Sequence, residues 1–206
     1  MPDTATDWRM ATNTPMSAGV DHDDVDSPAV SVGRARPEDA AGIAAVHVAV
    51  WRTAYPGVVP DHTLAGLSRA ALAARYEAAI RGGAGVLVAR TTGTGPDDAP
   101  AQVVGFATAS RSRPGPRLAD GEVETLYVLD DWRDRGIGRS LLRESARRLS
   151  ELSCRSLFLW VLADNPSRWF YERLGGRSAM RSTTSVGGRR LPQIAMVWDR
   201  IETLTD

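Results

Sequence analysis

Lysine is missing from this 206-residue chain: all 25 of its basic residues are arginine. They are matched by 25 acidic residues, so the formal net charge is zero. A neutral chain has no global field to gather nucleic acid or anionic lipid. Neither a nucleic acid nor a membrane is therefore expected as a partner, and any anion site must be built locally. Cysteine is nearly missing too; Cys154 alone excludes an internal disulfide and a cysteine-rich metal cluster. No apolar run approaches the roughly 18 residues of a membrane-spanning helix. No basic-then-apolar leader opens the chain, which points to the cytoplasm. The glycine, lysine, Ser/Thr sequence of a nucleotide P-loop does not occur, and no internal repeat is visible.

Residues 1–28 mix Thr, Asp, Pro, Ser and Met without periodicity. They hold too little apolar surface to offset the entropy of ordering, so a disordered tail is expected. Their acidic run, Asp21 to Asp26, lacks the glycine and distal glutamate of a calcium loop, and no metal is expected. With 43% hydrophobic residues overall, residues 29–206 suffice for one globular domain. Val30 and Val32 alternate as a short strand. Pro37, Glu38 and Asp39 suit a first helical turn, and Ile43, Val46 and Val50 mark one helical face. A second helix is expected from Leu67 to Ile80. Gly85 to Arg90 and Gln102 to Ser110 read as a hairpin, and Glu122 to Leu129 as a further strand. Gly138 to Leu152 forms a helix with Leu142, Ala146 and Leu149 inward, and Ser156 to Val161 a buried strand. A helix from Pro166 to Leu174 and a closing hairpin turned at Gly187 and Gly188 complete the chain. Hairpins mixed with strand-helix-strand units imply an α/β fold with a mixed sheet.

One stretch, DWRDRGIGRSLLRES from Asp131 to Ser145, joins strand to helix through two glycines. Gly136 and Gly138 at a helix start leave backbone N–H groups along the helix dipole, an arrangement that suits an anion. Arg135 and Arg139 can add charge-assisted bonds. The glycine spacing begins like a dinucleotide fingerprint but has Leu141 where the third glycine belongs, which argues against a nicotinamide oxidoreductase. A plain glycine connection is the bland alternative.

The segment LYVLDDWRDRGIGRSLL resembles the acetyl-coenzyme A signature of the Gcn5-related N-acetyltransferase (GNAT) superfamily. That signature is Arg or Gln, two residues, Gly, one residue, then Gly or Ala, matched here by Arg133, Gly136 and Gly138. VLADNPSRWFYERLGG resembles the family's closing segment, with Asn165 ahead of Phe170 and Tyr171. IAAVHVAVWRTAYPGVVP is similar to the first helix of many bacterial members. The likeness runs from about Val30 to Trp198 and departs at Gly176, where an aromatic residue commonly follows the family's glycine. It implies the acyl-CoA N-acyltransferase fold, a mixed, bent β-sheet flanked by helices, with acetyl-CoA as cosubstrate. The same resemblance implies that Arg135, Gly136, Gly138 and Arg139 hold the pyrophosphate, with Ser140 close by, and that Arg133 and Ile137 belong to the same coenzyme site. Leu126, Tyr127 and Val128 would then lie along the pantetheine arm, on a strand whose bulge turns an N–H toward the thioester oxygen. Asn165 would add a further bond to the coenzyme.

Acetyl transfer from a thioester to an amine needs a neutral nucleophile, a stabilised oxyanion and a proton for the departing thiolate. Glu122 and Glu124 lie two apart on one strand, so one face is expected to carry both, together with Leu126 and Val128. Either glutamate is a candidate base, with Glu124 preferred as nearer the reacting end; a solvated strand face is the alternative. Tyr171 is the candidate acid, because a phenol stays protonated at neutral pH; core packing beside Phe170 is its alternative. Asn165, directly before Pro166, also suits a helix N-cap. Trp51 and Tyr55, at i and i+4, either line the acceptor pocket or pack. His47 reads as a core or pocket-wall histidine rather than a base, and Cys154 has no recognisable partner.

The expected activity is direct transfer of acetyl from acetyl-CoA to a primary amine of a small molecule or protein, in a ternary complex. A catalytically silent acyl-CoA-binding regulatory module is the alternative. Balanced charge favours no acceptor over another. Members of the family that dimerise do so through sheet edges or terminal strands, so a homodimer is compatible with the resemblance.

Overall fold

The computed structural model describes residues 29–92, 101–113 and 118–205. The expected N-terminal tail lies outside the described residues, as does the turn-rich segment 93–100. Strand β1 (Val30–Arg34) and a 3-10 turn at Pro37–Asp39 lead into α1 (Ala40–Ala54), α2 (Asp61–Ala65) and α3 (Arg69–Arg81). Then come β2 (Gly85–Thr91), β3 (Val103–Arg111), β4 (Gly121–Val128), α4 (Ile137–Glu151), β5 (Leu157–Leu162) and α5 (Ser167–Arg173). The hairpin β6 (Arg177–Val186) and β7 (Arg189–Trp198) and a 3-10 turn at Ile201–Leu204 close the order. Helix α2, absent from the sequence reading, is too short to carry a 3.6-residue apolar period. Helix α3 starts after Ser68, whose Oγ accepts the Ala71 N–H at 3.3 Å, as an N-cap does.

The strands form one sheet of seven in the order β1-β2-β3-β4-β5-β7-β6. Every neighbouring pair is antiparallel except β4 and β5, which run parallel across the α4 connection. Parallel neighbours require such a crossover. Pairing between β4 and β5 is confined to Gly121↔Leu157 and Glu122↔Phe158. Beyond those residues β4 stays paired with β3 as far as Val128, and β5 with β7 as far as Leu162. The sheet therefore splits between its two parallel strands, and the opening faces the start of α4.

Each face of the sheet buries an apolar layer. On one face α4 presents Leu142, Ala146 and Leu149, spaced by four and three, together with Leu141, to Leu87, Val104, Val123, Leu126 and Leu159. Tyr171 of α5 joins that layer. On the other face α1 sets Ile43, Val46, Val50 and Trp51 against Val86, Val88, Phe106 and Tyr127. Full burial contributes about 1.5–3 kcal/mol per large aliphatic or aromatic side chain, which makes these stripes the main hold on both helices. No helix among the described residues is long and apolar enough to cross a membrane.

Candidate active site

The split in the sheet ends on the glycine turn. Gly136 is the residue before α4 and has φ +73°, a left-handed backbone that glycine adopts without a Cβ penalty. Its position lets Ile137, Gly138 and Arg139 open the helix, whose first N–H groups have no intrahelical acceptor. The ladder begins with the Ser140 N–H on the Gly136 carbonyl at 3.0 Å. Ile137 and Gly138 are buried against the sheet, whereas Arg135, Gly136, Arg139 and Ser140 face solvent. The Arg135 guanidinium lies 5.0 Å over the Trp132 ring. Arg133 turns back to Asp130 at 2.5 Å, so within the signature it holds the loop's shape while its neighbours face outward. This donor set, backbone N–H groups at the positive end of a 15-residue helix with two flanking guanidinium groups, fits a diphosphate.

Strand β4 carries an irregularity that the alternating pattern does not announce. Thr108 pairs with Thr125 and Ala109 with Val123, which leaves Glu124 as an extra residue. A bulge of this kind shifts the faces on either side of it. Val123, Leu126 and Val128 consequently pack on the α4 side. Tyr127 lies on the α1 side, where Thr125 Oγ1 meets Thr108 Oγ1 at 2.7 Å. The expectation that Glu122 and Glu124 share a face with Leu126 and Val128 is thus corrected. On the α1 and α3 side, Glu124 accepts bonds from Ser110 Oγ at 3.1 Å and Arg113 Nη2 at 3.2 Å. Glu122 sits beside it, and burial, then the charge of Glu124, raise its carboxyl to about 7 against the pull of Arg113.

Below these glutamates lies an aromatic cluster. His47 Nδ1 meets the Tyr76 hydroxyl at 2.8 Å, and its ring stacks on Phe106 with centroids 6.2 Å apart. Burial, with a smaller contribution from Arg75, lowers its pKa to about 3. His47 is thus a buried, neutral histidine. Trp51 donates its indole N–H to the Tyr127 hydroxyl at 3.0 Å and meets the edge of Tyr55 at 5.3 Å. Tyr55 lines a cavity of about 110 Å³ together with Asn165, Pro166 and Leu191. Burial lifts the Tyr55 phenol well above its usual range, and the nearby phenols of Tyr127 and Tyr171 add to the rise. Tyr55 just past α1, Tyr127 of β4 and Tyr171 of α5 are in this way brought together where the sheet divides.

Asn165 Oδ1 accepts the Ser167 N–H at 2.8 Å, so the expected capping of α5 is present. Tyr171 is wholly buried, with Phe170 at 5.1 Å and Trp198 at 6.1 Å, both edge-on. A larger hollow of about 870 Å³ lies elsewhere, beside Arg36, Asp39 and Val103; its Arg90 is occupied by the Asp39 carboxylate. Cys154 is buried in the core. Among the described residues no group of three or more His, Cys, Asp or Glu is placed to hold a metal ion. Sequence reasoning missed Tyr76, Ser110 and Arg113, which act on His47 and Glu124 from other elements. No local spacing could have revealed them.

A split parallel pair that leads to a glycine turn at a helix start defines an acyl-coenzyme A transferase fold, and comparison with known proteins agrees. Residues 51–176 match the model of the acetyltransferase (GNAT) family. The uncharacterized N-acetyltransferase YuaI of Bacillus subtilis (strain 168) is 31% identical over 175 residues, 85% of this chain and 96% of that protein. A ribosomal-protein-alanine N-acetyltransferase from Brucella melitensis superposes with a TM-score of 0.62 at 26% identity, over 82% of this chain and 98% of its own. The structure of yncA from Salmonella typhimurium with its cofactor acetyl-CoA shares the fold, with a TM-score of 0.61 at 22% identity over 84% and 94% of the two chains. The chain belongs to the acetyltransferase (GNAT) family and is an acetyl-CoA-dependent N-acetyltransferase.

Proposed function

We propose that this enzyme transfers the acetyl group of acetyl-CoA directly to a primary amine, with both substrates bound together. The observation that carries the reading is the split between β4 and β5, which leads from the Glu122 and Glu124 pair to the N–H groups before α4. Arg135, Gly136, Gly138, Arg139 and Ser140 hold the pyrophosphate, and the inner edge of β4 from Leu126 to Val128 receives the pantetheine arm. Glu122 is the base. Its carboxyl, held near 7, can accept a proton from an ammonium, directly or through water, at the pH where it must act. Glu124 is committed to Ser110 and Arg113 and serves to raise its neighbour.

The freed amine attacks the thioester carbonyl; the new C–N bond forms, the C–S bond breaks, and the thiolate takes a proton. Tyr171 supplies that proton, since a phenol and a thiolate have comparable basicity. Asn165 positions α5, and Tyr55, with Trp51 and His47 behind it, forms the wall on the acceptor side. Coenzyme release over a panel of amines, followed with a thiol reagent, tests the reading. An amine-dependent thiol signal with one acetylated product per thiol is expected; tight coenzyme binding with no thiol released by any amine would instead identify a regulatory binding module.

A further inference from the structure

On the α1 side of the sheet, one strip of β5 leads away from Glu122. Glu122 is level with Phe158 across the parallel pair, and residues two apart on a strand share a face. Trp160 and Leu162 therefore continue the strip. The rings of Phe158 and Trp160 meet edge-on with centroids 6.2 Å apart, and Trp160 is half-buried. On β7, Val197, Ala195 and Gln193 stand beside Phe158, Trp160 and Leu162, so none of the six residues of the strip is basic. At its far end Leu162 enters the cavity beside Tyr55, whose apolar wall is Ala54, Val58 and Leu191. The β6–β7 hairpin closes over this end. Arg189 donates from Nη1 to the Gly57 carbonyl at 2.7 Å, and Gly187 lies so close to Thr63 that a Cβ would collide with its hydroxyl. Asp164 lines the same cavity and is exposed at its rim; among the described residues no ion pair engages its carboxylate.

We infer that the acceptor is a long aliphatic diamine or polyamine, whose reacting amine meets Glu122 while a second ammonium at its far end meets Asp164. The inference rests on the transfer reading given above. Four residues of β5 separate the level of Glu122 from Leu162, about 13 Å at the rise of a strand. An extended chain gains about 1.2 Å per bond, so about ten bonds span that length. The apolar wall of the cavity suits methylenes, and the rings of Phe158 and Trp160 suit the same chain or a cation within it. A carboxylate on the acceptor would find no counter-charge along the strip, and the closed hairpin bars a folded protein surface from the cavity. One amine gives its proton to Glu122 and takes the acetyl group, the coenzyme leaves as the thiol, and the distal ammonium keeps its proton throughout.

The test compares 1,8-diaminooctane with octylamine, which lacks the second ammonium, and with 1,4-diaminobutane, which is too short to reach Asp164. Thiol release by the full chain at saturating acetyl-CoA should give 1,8-diaminooctane a kcat/KM about fivefold above both others. Asp164→Asn should raise KM for 1,8-diaminooctane about fivefold with kcat unchanged, so that its advantage over octylamine disappears. Because Asp164 is exposed, its variant leaves the fold intact. Equal or better use of octylamine, an advantage that survives in Asp164→Asn, or turnover only with amines outside this series overturns the assignment. Thiol release with no amine at all overturns the transfer reading itself, which is a distinct result.

Discussion

The indole of Trp198 fills the space that a side chain on Gly176 would need. A Cβ at position 176 would lie 2.7 Å from Trp198 Cζ2 and 2.9 Å from the Tyr171 carbonyl oxygen. This resolves the departure at Gly176: the aromatic group arrives from β7, where its Nε1–H also binds the Leu174 carbonyl at 2.8 Å. Trp198→Ala should cost about 3–5 kcal/mol through the cavity it leaves, and Gly176→Ala about 1–3 kcal/mol through overpacking. Urea unfolding measures both; wild-type stability of Gly176→Ala would show that the indole can give way.

Glu122 links activity and stability with opposite signs. Its folded carboxyl titrates near 7 against an ordinary 4.5, so the folded state binds the proton more tightly between those values. Its contribution to stability is therefore full below the ordinary value and is lost as pH rises through about 7. A base must be ionised, so kcat/KM should rise over the same interval. In Glu122→Gln the rate should drop at every pH and lose its limb near 7, while stability should stop declining there. A rate limb unchanged in the variant would assign the titration to another group.

Gly136 allows charge to be separated from backbone shape. A Cβ there meets nothing within 4 Å, so the demand is for φ +73° alone. Asn and Asp both tolerate that region better than other side chains. Gly136→Asn should keep most coenzyme affinity, and Gly136→Asp should lose about tenfold or more by placing a carboxylate at the diphosphate. Equal affinities for the two variants would remove the diphosphate from this turn.

Tyr171→Phe deletes one oxygen from a side chain wholly buried beside Trp198. As the thiolate's acid it should slow turnover about a hundredfold with coenzyme affinity unchanged. Turnover equal to wild type would leave Tyr171 a packing residue only.

Much of the fold was legible because it rests on local periodicities: the α4 stripe of Leu142, Ala146 and Leu149, the Gly187 and Gly188 hairpin, and the glycine turn itself all fall where spacing puts them. The family resemblance implied a bulge on this strand, but its place at Glu124 was not legible, since EVETLYV contains no glycine or proline to mark it and only pairing with β3 reveals the extra residue. Its effect reached the site, because it decides which residues stand beside the glutamates.

The short pairing of β4 with β5 also has a mechanical meaning. Two register pairs hold a block of four strands to a block of three, so the weakest backbone seam of the molecule runs through its middle and not along an outer edge. A ligand laid in that seam is a splint as well as a reactant. Protection from hydrogen exchange on filling it should then spread into β3 and β7 on either side, far from any atom that reacts.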